Sequence, residues 1–152
     1  MPRIDVQSIG KWSGSSYPEP YASQVGQREY QALGDAGGLT QYGVDLVTMY
    51  PGDVSSMRHW HSAEDELVWI VEGELTLVQD SGAKAMLAGD AAAFPAGDPN
   101  GHHLVNRSEA VAKYLVVGTR AANDVCTYSD IDMKFDKAVG RFTRRDGQDL
   151  EG

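Results

Sequence analysis

The sequence predicts an all-β protein, an antiparallel sandwich or barrel built from about nine short strands. Three observations lead to this fold class. Apolar and polar residues alternate over short runs, turn-forming residues separate the runs, and seventeen glycines suit many tight turns. Long segments with an apolar period of 3.6 residues, which would indicate helices, do not occur. A chain of 152 residues is expected to form one domain with its own core.

Residues 1–27 differ in composition from the rest of the chain. They are rich in Ser, Pro, Gly and Gln, and they carry the aromatic residues Trp12, Tyr17 and Tyr21. Such a segment is expected to be extended. We interpret it as an N-terminal arm whose aromatic side chains lie on its own barrel or on a neighbouring subunit.

The predicted strands follow in order after the arm, and turn residues such as Pro51-Gly52-Asp53 separate them. Beyond residue 130 the pattern fades into a polar tail with room for one short element. We therefore expect an arm (1–27), a barrel (28–130) and a tail (131–152) that is free to pack on the barrel. The predicted strands are 28–33, 41–49, 66–71, 74–79, 83–87, 91–94, 102–106, 110–117 and 125–128.

One predicted strand is apolar on both faces. In the run Leu67-Val-Trp-Ile-Val71, one face can point into the barrel, whereas Leu67, Trp69 and Val71 share the other. A strand of this kind is normally covered on both sides. The cover would be a second sheet, the arm or another subunit, and we expect a homodimer.

Composition excludes several classes of function. The net charge of -9 argues against general binding to nucleic acid or to anionic membranes. Cys126 is the single cysteine, so no internal disulfide is expected, and it is interpreted as a small buried hydrophobe. The chain shows neither a signal peptide at its start nor an apolar run near the ~20 residues of a membrane span. A cytoplasmic protein that acts on a small molecule is expected.

Two clusters of histidine carry the chemistry. His59 and His61 lie two residues apart, so in an extended chain both side chains point to the same face, and Glu66 follows five residues later. His102 and His103 stand at the head of a later strand, where adjacent side chains face opposite ways and only one is expected to join the first pair. Imidazole and carboxylate are the usual ligands of Zn, Fe, Mn, Ni and Cu.

These two segments resemble the two conserved motifs of the cupin superfamily. The first motif is a glycine, His-x-His, three or four residues, a glutamate, six residues and a glycine. The chain has His59-Trp-His61, four residues, Glu66, six residues and Gly73. The leading glycine, Gly52, lies one residue further back than usual.

The second motif is a glycine, five residues, Pro-x-Gly, two residues, a histidine, three residues and an asparagine. Gly89, Pro95 and Gly97 match it, as do His102 and Asn106. The departure is that four residues separate Gly97 from His102. Because of this enlarged loop, His103 remains an alternative to His102 as the ligand.

The resemblance implies a cupin fold, a double-stranded β-helix or jelly-roll barrel, here with an extended N-terminal arm. It also implies that His59, His61, Glu66 and His102 bind one divalent metal ion, such as Fe, Mn, Zn or Ni. Coordination positions would remain open for water or substrate. Glu64 and Asp65 are interpreted as solvated loop charges rather than as ligands.

Members of this superfamily include dioxygenases, sugar-phosphate isomerases, lyases, decarboxylases and ligand-sensing domains, so the fold leaves the reaction open. We expect a metal-dependent enzyme acting on a small polar molecule, either of dioxygenase type or of sugar(-phosphate) isomerase/lyase type. The dioxygenase ranks slightly higher, because it needs only the metal, whereas an isomerase also needs an acid or base. The alternative is a cupin that binds a small molecule without reaction.

Overall fold

The computed structural model describes residues 3–150, so the outermost two residues of the predicted arm and of the predicted tail lie outside it. Within the described range, no helix is long and apolar enough to cross a membrane. The helical elements are α1 (Leu33–Ala36) and two single 3-10 turns, Val6–Ser8 and Ala22–Gln24. The strands are β1 (Glu29–Ala32), β2 (Tyr42–Met49), β3 (His59–His61), β4 (Glu66–Glu72), β5 (Glu74–Gln79), β6 (Gly82–Leu87), β7 (Ala91–Phe94), β8 (His103–Val105), β9 (Ala112–Thr119), β10 (Val125–Tyr128), β11 (Lys134–Asp136) and β12 (Arg141–Thr143).

One layer of the fold is a five-stranded sheet in the order β1-β2-β9-β4-β7. Its longest pairing joins β2 to β9 over eight residues, with Val47 opposite Tyr114. The alternation predicted for 41–49 sets this register, because Val47 and Met49 point inward together and are fully buried. All strand pairs in this sheet are antiparallel.

The other strands form two smaller sheets, of order β12-β11-β10-β3 and β6-β5-β8. A single antiparallel bridge links them, since the His59 N–H donates to the His102 carbonyl at 3.1 Å and the His102 N–H donates to the His59 carbonyl at 2.9 Å. Antiparallel sheets that pack on one another in this way form a jelly roll. The predicted all-β cupin fold class is confirmed, and the bridge puts two of the four predicted ligands side by side.

The main core lies between the five-stranded and the three-stranded sheet. Inward-facing residues of both sheets contribute to it, as alternation along the strands requires. A second apolar cluster lies behind β10 and includes Cys126, which is buried as expected. The main core consists of Val47, Met49, Val68, Ile70, Leu75, Leu77, Met86, Phe94, Leu104, Ala112 and Tyr114.

Residues 3–27 lie on the barrel of their own chain at two places. Trp12 pairs with Tyr30 through a two-way backbone bridge, and their rings stack with centroids 4.5 Å apart. Tyr17 packs edge-on against Tyr128 of β10, with centroids 5.4 Å apart. These contacts place the N-terminal segment against the barrel of its own chain. The boundary between arm and barrel at residue 27 stays a prediction.

The strand list differs from the sequence prediction in three added strands. One is β3, the His-x-His segment itself, which pairs with β10. The others are β11 and β12, so the polar segment after residue 130 contains two strands instead of at most one. Each is only three residues long and has one apolar centre, Phe135 or Phe142, too little for a periodic signal. The first predicted strand also ends early, since Leu33 begins α1.

The outer face of β4 remains uncovered in the single chain. Leu67, Trp69 and Val71 are 41%, 49% and 49% exposed, respectively. The described part of the N-terminal segment therefore does not supply the cover that the sequence requires there.

Candidate metal centre

The four predicted ligands lie close together where the two smaller sheets meet beside the start of β4 in the five-stranded sheet. β3 supplies His59 and His61, β4 begins with Glu66, and His102 precedes β8. Ligand atoms of His59, Glu66 and His102 all lie within 4.8 Å of one another. The His61 Nε2 lies 3.3 Å from the Glu66 Oε2, and the His102 Nε2 lies 3.0 Å from the Glu66 Oε1. Glu66 is thus the centre of the group.

These distances match the spacing of ligands that share one metal ion. Bonds of about 2.0–2.2 Å that meet at right to tetrahedral angles place neighbouring ligand atoms roughly 3.0–3.5 Å apart. Both Glu66–imidazole separations fall in that range. Three imidazoles and a carboxylate are also a donor set that divalent transition metals accept. The residues present therefore fit a divalent metal, with the carboxylate between two of the histidines.

His59 is oriented by its own loop. Its Nδ1 lies 2.8 Å from the Met57 carbonyl oxygen and 3.2 Å from the Ser56 Oγ. A carbonyl only accepts hydrogen bonds, so Nδ1 carries the proton and Nε2 keeps a free lone pair. This tautomer is the one that a metal bound through Nε2 requires.

His61 is oriented by a buried carboxylate from across the sheet. Its Nδ1 lies 2.7 Å from the Asp124 Oδ2, which leaves Nε2 facing Glu66. The Asp124 Oδ1 accepts hydrogen bonds from the N–H groups of Ala63 and Glu64 at 2.9 and 3.2 Å. A carboxylate behind a histidine in this way is the usual support of a metal-binding imidazole, because it fixes the ring and increases its basicity.

His102 is oriented by an aromatic ring instead of a charge. Phe94 stacks on it with centroids 3.5 Å apart and planes 3° apart. The His102 Nδ1 is buried and has no hydrogen-bond partner within residues 3–150. The neighbouring His103 uses its Nδ1 at 2.9 Å from the Ser56 carbonyl oxygen. Of the two adjacent histidines, the structure therefore brings His102 into the group and turns His103 away.

Burial and neighbouring charges shift the pKa values of His59 and His61 in opposite directions. Burial lowers the pKa of His59 to about 4. Burial alone would also lower the pKa of His61, but its hydrogen bonds with Glu66 and Asp124 outweigh burial and raise the pKa to about 9. Burial would raise the pKa of Glu66, but hydrogen bonds from His102 and His61 hold it well below its usual range. Glu66 is therefore ionised, as a metal ligand must be.

Glu64 is not the solvated loop charge that the sequence suggested. Its Oε2 accepts hydrogen bonds from the Ala121 N–H at 2.8 Å and from the Lys137 Nζ at 2.6 Å, and its side chain is only 15% exposed. Its Oε1 lies 3.8 Å from the His61 Nδ1. Asp65 differs from it, because it is exposed and its Oδ1 caps the Ala96 N–H at 2.8 Å.

A cavity of about 400 Å³ opens beside the group, within the range of ~300–1,000 Å³ that is typical of small-molecule sites. His59, His61 and Glu64 lie in its wall, and Trp12 and Tyr17 of the N-terminal segment close one side. A smaller cavity of about 140 Å³ includes Glu66 and His102 and shares His59 with the larger one. The candidate ligands thus face space that a small molecule could fill.

Two other motif residues are structural. Gly73 has a φ of +77°, and a Cβ there would lie 2.9 Å from the Val111 carbonyl oxygen, so only glycine fits. Asn106 is buried and donates through Nδ2 to the carbonyls of Met49 and Ala110, both at 2.9 Å. These residues hold the loops at the strand ends and do not contact the cluster.

Sequence reasoning missed Asp124 and Lys137 and misjudged Glu64. Asp124 immediately precedes β10, and only the pairing of β10 with the His-x-His strand, which the sequence does not reveal, brings it to His61. Lys137 lies just beyond β11, a strand that was not predicted, so its approach to Glu64 had no sequence signal.

The comparisons with known proteins agree with the observed fold. A family model, Cupin_2 (cupin domain), matches residues 45–118. No curated protein matches the chain. Among solved structures, a sugar phosphate isomerase from a cupin superfamily, from Silicibacter pomeroyi, is 51% identical with a TM-score of 0.95 and covers 99% of this chain and 98% of its own.

Two further solved structures are more distant. A candidate sugar phosphate isomerase from Acidithiobacillus ferrooxidans is 28% identical with a TM-score of 0.74, covering 83% of this chain and 80% of its own. A predicted oxalate decarboxylase from Thermotoga maritima is 19% identical with a TM-score of 0.63, covering 78% of this chain and 99% of its own. The latter shows the shared fold alone.

Proposed function

The chain belongs to the cupin superfamily, and from this premise we propose that it is a metal-dependent sugar-phosphate isomerase. The observation that carries the proposal is the 51% identity, over 98% of its length, with the Silicibacter pomeroyi protein described as a sugar phosphate isomerase. The geometry adds a metal-type donor set, and two of its members, His59 and His61, line the same cavity as a separate carboxylate, Glu64. This combination favours an isomerase over a dioxygenase, which needs no second carboxylate.

In this proposal, His59, His61, Glu66 and His102 bind one divalent metal ion. The spacing of their ligand atoms and the fixed tautomers of His59 and His61 support this assignment. The metal would supply a Lewis acid that polarises the carbonyl group of a bound sugar.

Glu64 is the proposed acid–base residue. Isomerisation of an aldose to a ketose moves one proton between neighbouring carbons and one between their oxygens, so no oxidant or reductant is consumed. Glu64 faces the cavity and is not among the four proposed ligands. Its Oε2 is held by Lys137, which leaves Oε1 to take the carbon-bound proton and return it to the adjacent carbon. This residue answers the need for a base that the sequence left open.

The experiment is proton exchange followed by NMR. Protein reconstituted with Mn²⁺, Fe²⁺, Zn²⁺ or Ni²⁺ is incubated in D₂O with a panel of aldose and ketose phosphates. Deuterium at the carbon beside the carbonyl, together with the isomeric product, is expected for at least one substrate, and chelation should abolish both. Binding without exchange would indicate the non-catalytic alternative, and oxygen consumption on a substrate panel would indicate the dioxygenase; either result contradicts the proposal.

We also propose that the outer face of β4 forms a homodimer contact. Leu67, Trp69 and Val71 form an apolar stripe that is about half exposed in one chain. Light scattering should show a dimer, and Trp69→Glu should convert it to a monomer, because a buried charge without a partner is costly. A wild-type monomer at micromolar concentration would contradict this assembly.

A further inference from the structure

Arg28 is a buried cation that has no carboxylate partner. Its residue exposure is 5%, and the ion pairs of the described residues 3–150 do not include it. Arg58 differs from it, because its side chain is 12% exposed and pairs with two carboxylates, Asp80 and Asp130. A buried charge without a counter-charge is rare, because burial removes its hydration.

The guanidinium of Arg28 is held in place by neutral acceptors. Its Nε donates to the Ser55 carbonyl at 2.7 Å and to the Tyr30 hydroxyl at 3.0 Å, and its Nη1 donates to the Gly14 carbonyl at 3.2 Å. Its Cζ also lies 5.1 Å from the centroid of the Tyr30 ring. The Nη2 group makes no hydrogen bond with residues 3–150. These contacts orient the group but leave its charge uncompensated.

Arg28 lies in the wall of the same 400 Å³ cavity that includes His59 and Glu64. Its acceptor Ser55 is next to Ser56, whose Oγ lies 3.2 Å from the His59 Nδ1. The cation and the candidate metal ligands are therefore neighbours along one wall.

The other charges of the cavity are already matched. Lys137 pairs with Glu64, and Asp124 pairs with His61. Glu66 lines the adjoining smaller cavity instead, where it contacts His61 and His102. Arg28 is left as a cation of the cavity wall without a carboxylate partner in residues 3–150. An anionic ligand in the cavity would therefore compensate its charge.

We propose that Arg28 binds the phosphate group of the substrate and so holds the sugar with its carbonyl end toward Glu66 and the histidines. The planar guanidinium fits phosphate oxygens well, and such charge-assisted hydrogen bonds are strong. This inference rests on the proposed function for the identity of the phosphate carrier. It assigns Arg28 the selection of phosphorylated over unphosphorylated sugars.

Inorganic phosphate is the probe that tests the site without catalysis. Calorimetry with metal-free and Zn²⁺-loaded protein should give a Kd for phosphate that Arg28→Gln raises by about tenfold or more. Arg120→Gln is the matched control, because it removes the same charge from an exposed arginine that pairs with Asp35; it should leave the Kd unchanged. Equal phosphate affinity in wild type and in folded Arg28→Gln would overturn the inference.

A second variant keeps Arg28 and its structural contacts in place. Ser16 is exposed and lies in the cavity wall, so Ser16→Asp adds a carboxylate to the cavity without removing a buried group. It should also raise the phosphate Kd by about tenfold, since it supplies the missing counter-charge and repels the ligand. Ser16→Asn is its neutral control and should bind phosphate as the wild type does. An unchanged Kd in Ser16→Asp would contradict the proposal even if Arg28→Gln failed to fold.

The same measurements separate this inference from the proposed function. Arg28-dependent phosphate binding without isomerisation would refute the isomerase and leave the phosphate site standing. Isomerisation whose KM for a sugar phosphate is unaffected by Arg28→Gln would refute the phosphate site and leave the isomerase standing. With both correct, Arg28→Gln raises KM for the phosphorylated substrate much more than it lowers kcat.

Discussion

The two sides of the candidate metal centre are built from different chemistry. On the His61 side, charged groups surround the imidazole: Asp124 at 2.7 Å, Glu64 at 3.8 Å and, through Glu64, Lys137. On the His102 side, a phenyl ring stacks on the imidazole and one ring nitrogen has no partner in the described chain. Glu66 lies between them and contacts both.

We infer from this difference that the two sides have different roles. The charged side fixes the tautomer of His61 and carries a carboxylate in position for proton transfer. The aromatic side fixes only the plane of the His102 ring and excludes water from it. Changes to Asp124 and Glu64, which surround His61, should therefore affect chemistry and metal affinity, whereas a change to Phe94, which supports His102, should affect mainly packing.

The largest effect is expected from Glu64→Gln. It removes the proposed proton acceptor and retains the shape of the side chain, so kcat should fall by about 10²–10⁴-fold. Metal content should stay at the wild-type value, because Glu64 is not a proposed ligand. Steady-state kinetics and elemental analysis measure the two quantities. Asp65→Asn, the same kind of change on the neighbouring exposed carboxylate, serves as the control and should retain activity.

A smaller effect, a loss of metal affinity, is expected from Asp124→Asn. The oxygen of the new amide can still accept hydrogen bonds from the backbone N–H groups of Ala63 and Glu64. Its NH₂ group, however, would face the His61 Nδ1 in place of a carboxylate oxygen. His61 then favours the tautomer with its proton on Nε2, which cannot bind a metal. The affinity for Zn²⁺ should fall by about 10–100-fold in a competitive chelator titration. Asp136→Asn, on β11, should bind Zn²⁺ normally; equal losses in both variants would indicate a general effect of charge.

The smallest of the three effects is expected from Phe94→Leu on the aromatic side. Removing the stacked ring should lower the free energy of unfolding by about 1 kcal/mol, which thermal or urea denaturation measures. Because the ring donates nothing to the metal, Zn²⁺ affinity should fall by less than tenfold. A loss of affinity larger than that of Asp124→Asn would remove the distinction between the two sides.

Sequence reasoning found the parts of this centre that lie close together along the chain. His59, His61 and Glu66 lie within eight residues on one strand–turn–strand segment, so their spacing was enough to suggest that they act together. His102 required the second motif, and the contact that distinguishes it from His103, the one between its side chain and Glu66, appears only in the folded chain. The fold class was predictable for the same reason, since alternation along each strand is a local property.

The supporting residues were not predictable because they arrive from distant strands. Asp124 meets His61 across 63 residues of sequence and Lys137 meets Glu64 across 73, through β10 and the short strand β11. Arg28 reaches Ser55 in the same way, from a strand edge to a loop. Such contacts depend on sheet topology, which the strand pattern does not specify, and short strands with one apolar residue give no periodic signal.

The most direct test of the metal centre uses the adjacent histidines. His102→Ala and His103→Ala remove the same side chain one residue apart, and only His102 belongs to the cluster around Glu66. After loading with Zn²⁺ and exhaustive dialysis, elemental analysis should give about one metal ion per chain for the wild type and for His103→Ala, and close to none for His102→Ala. Full metal content in folded His102→Ala would contradict the account.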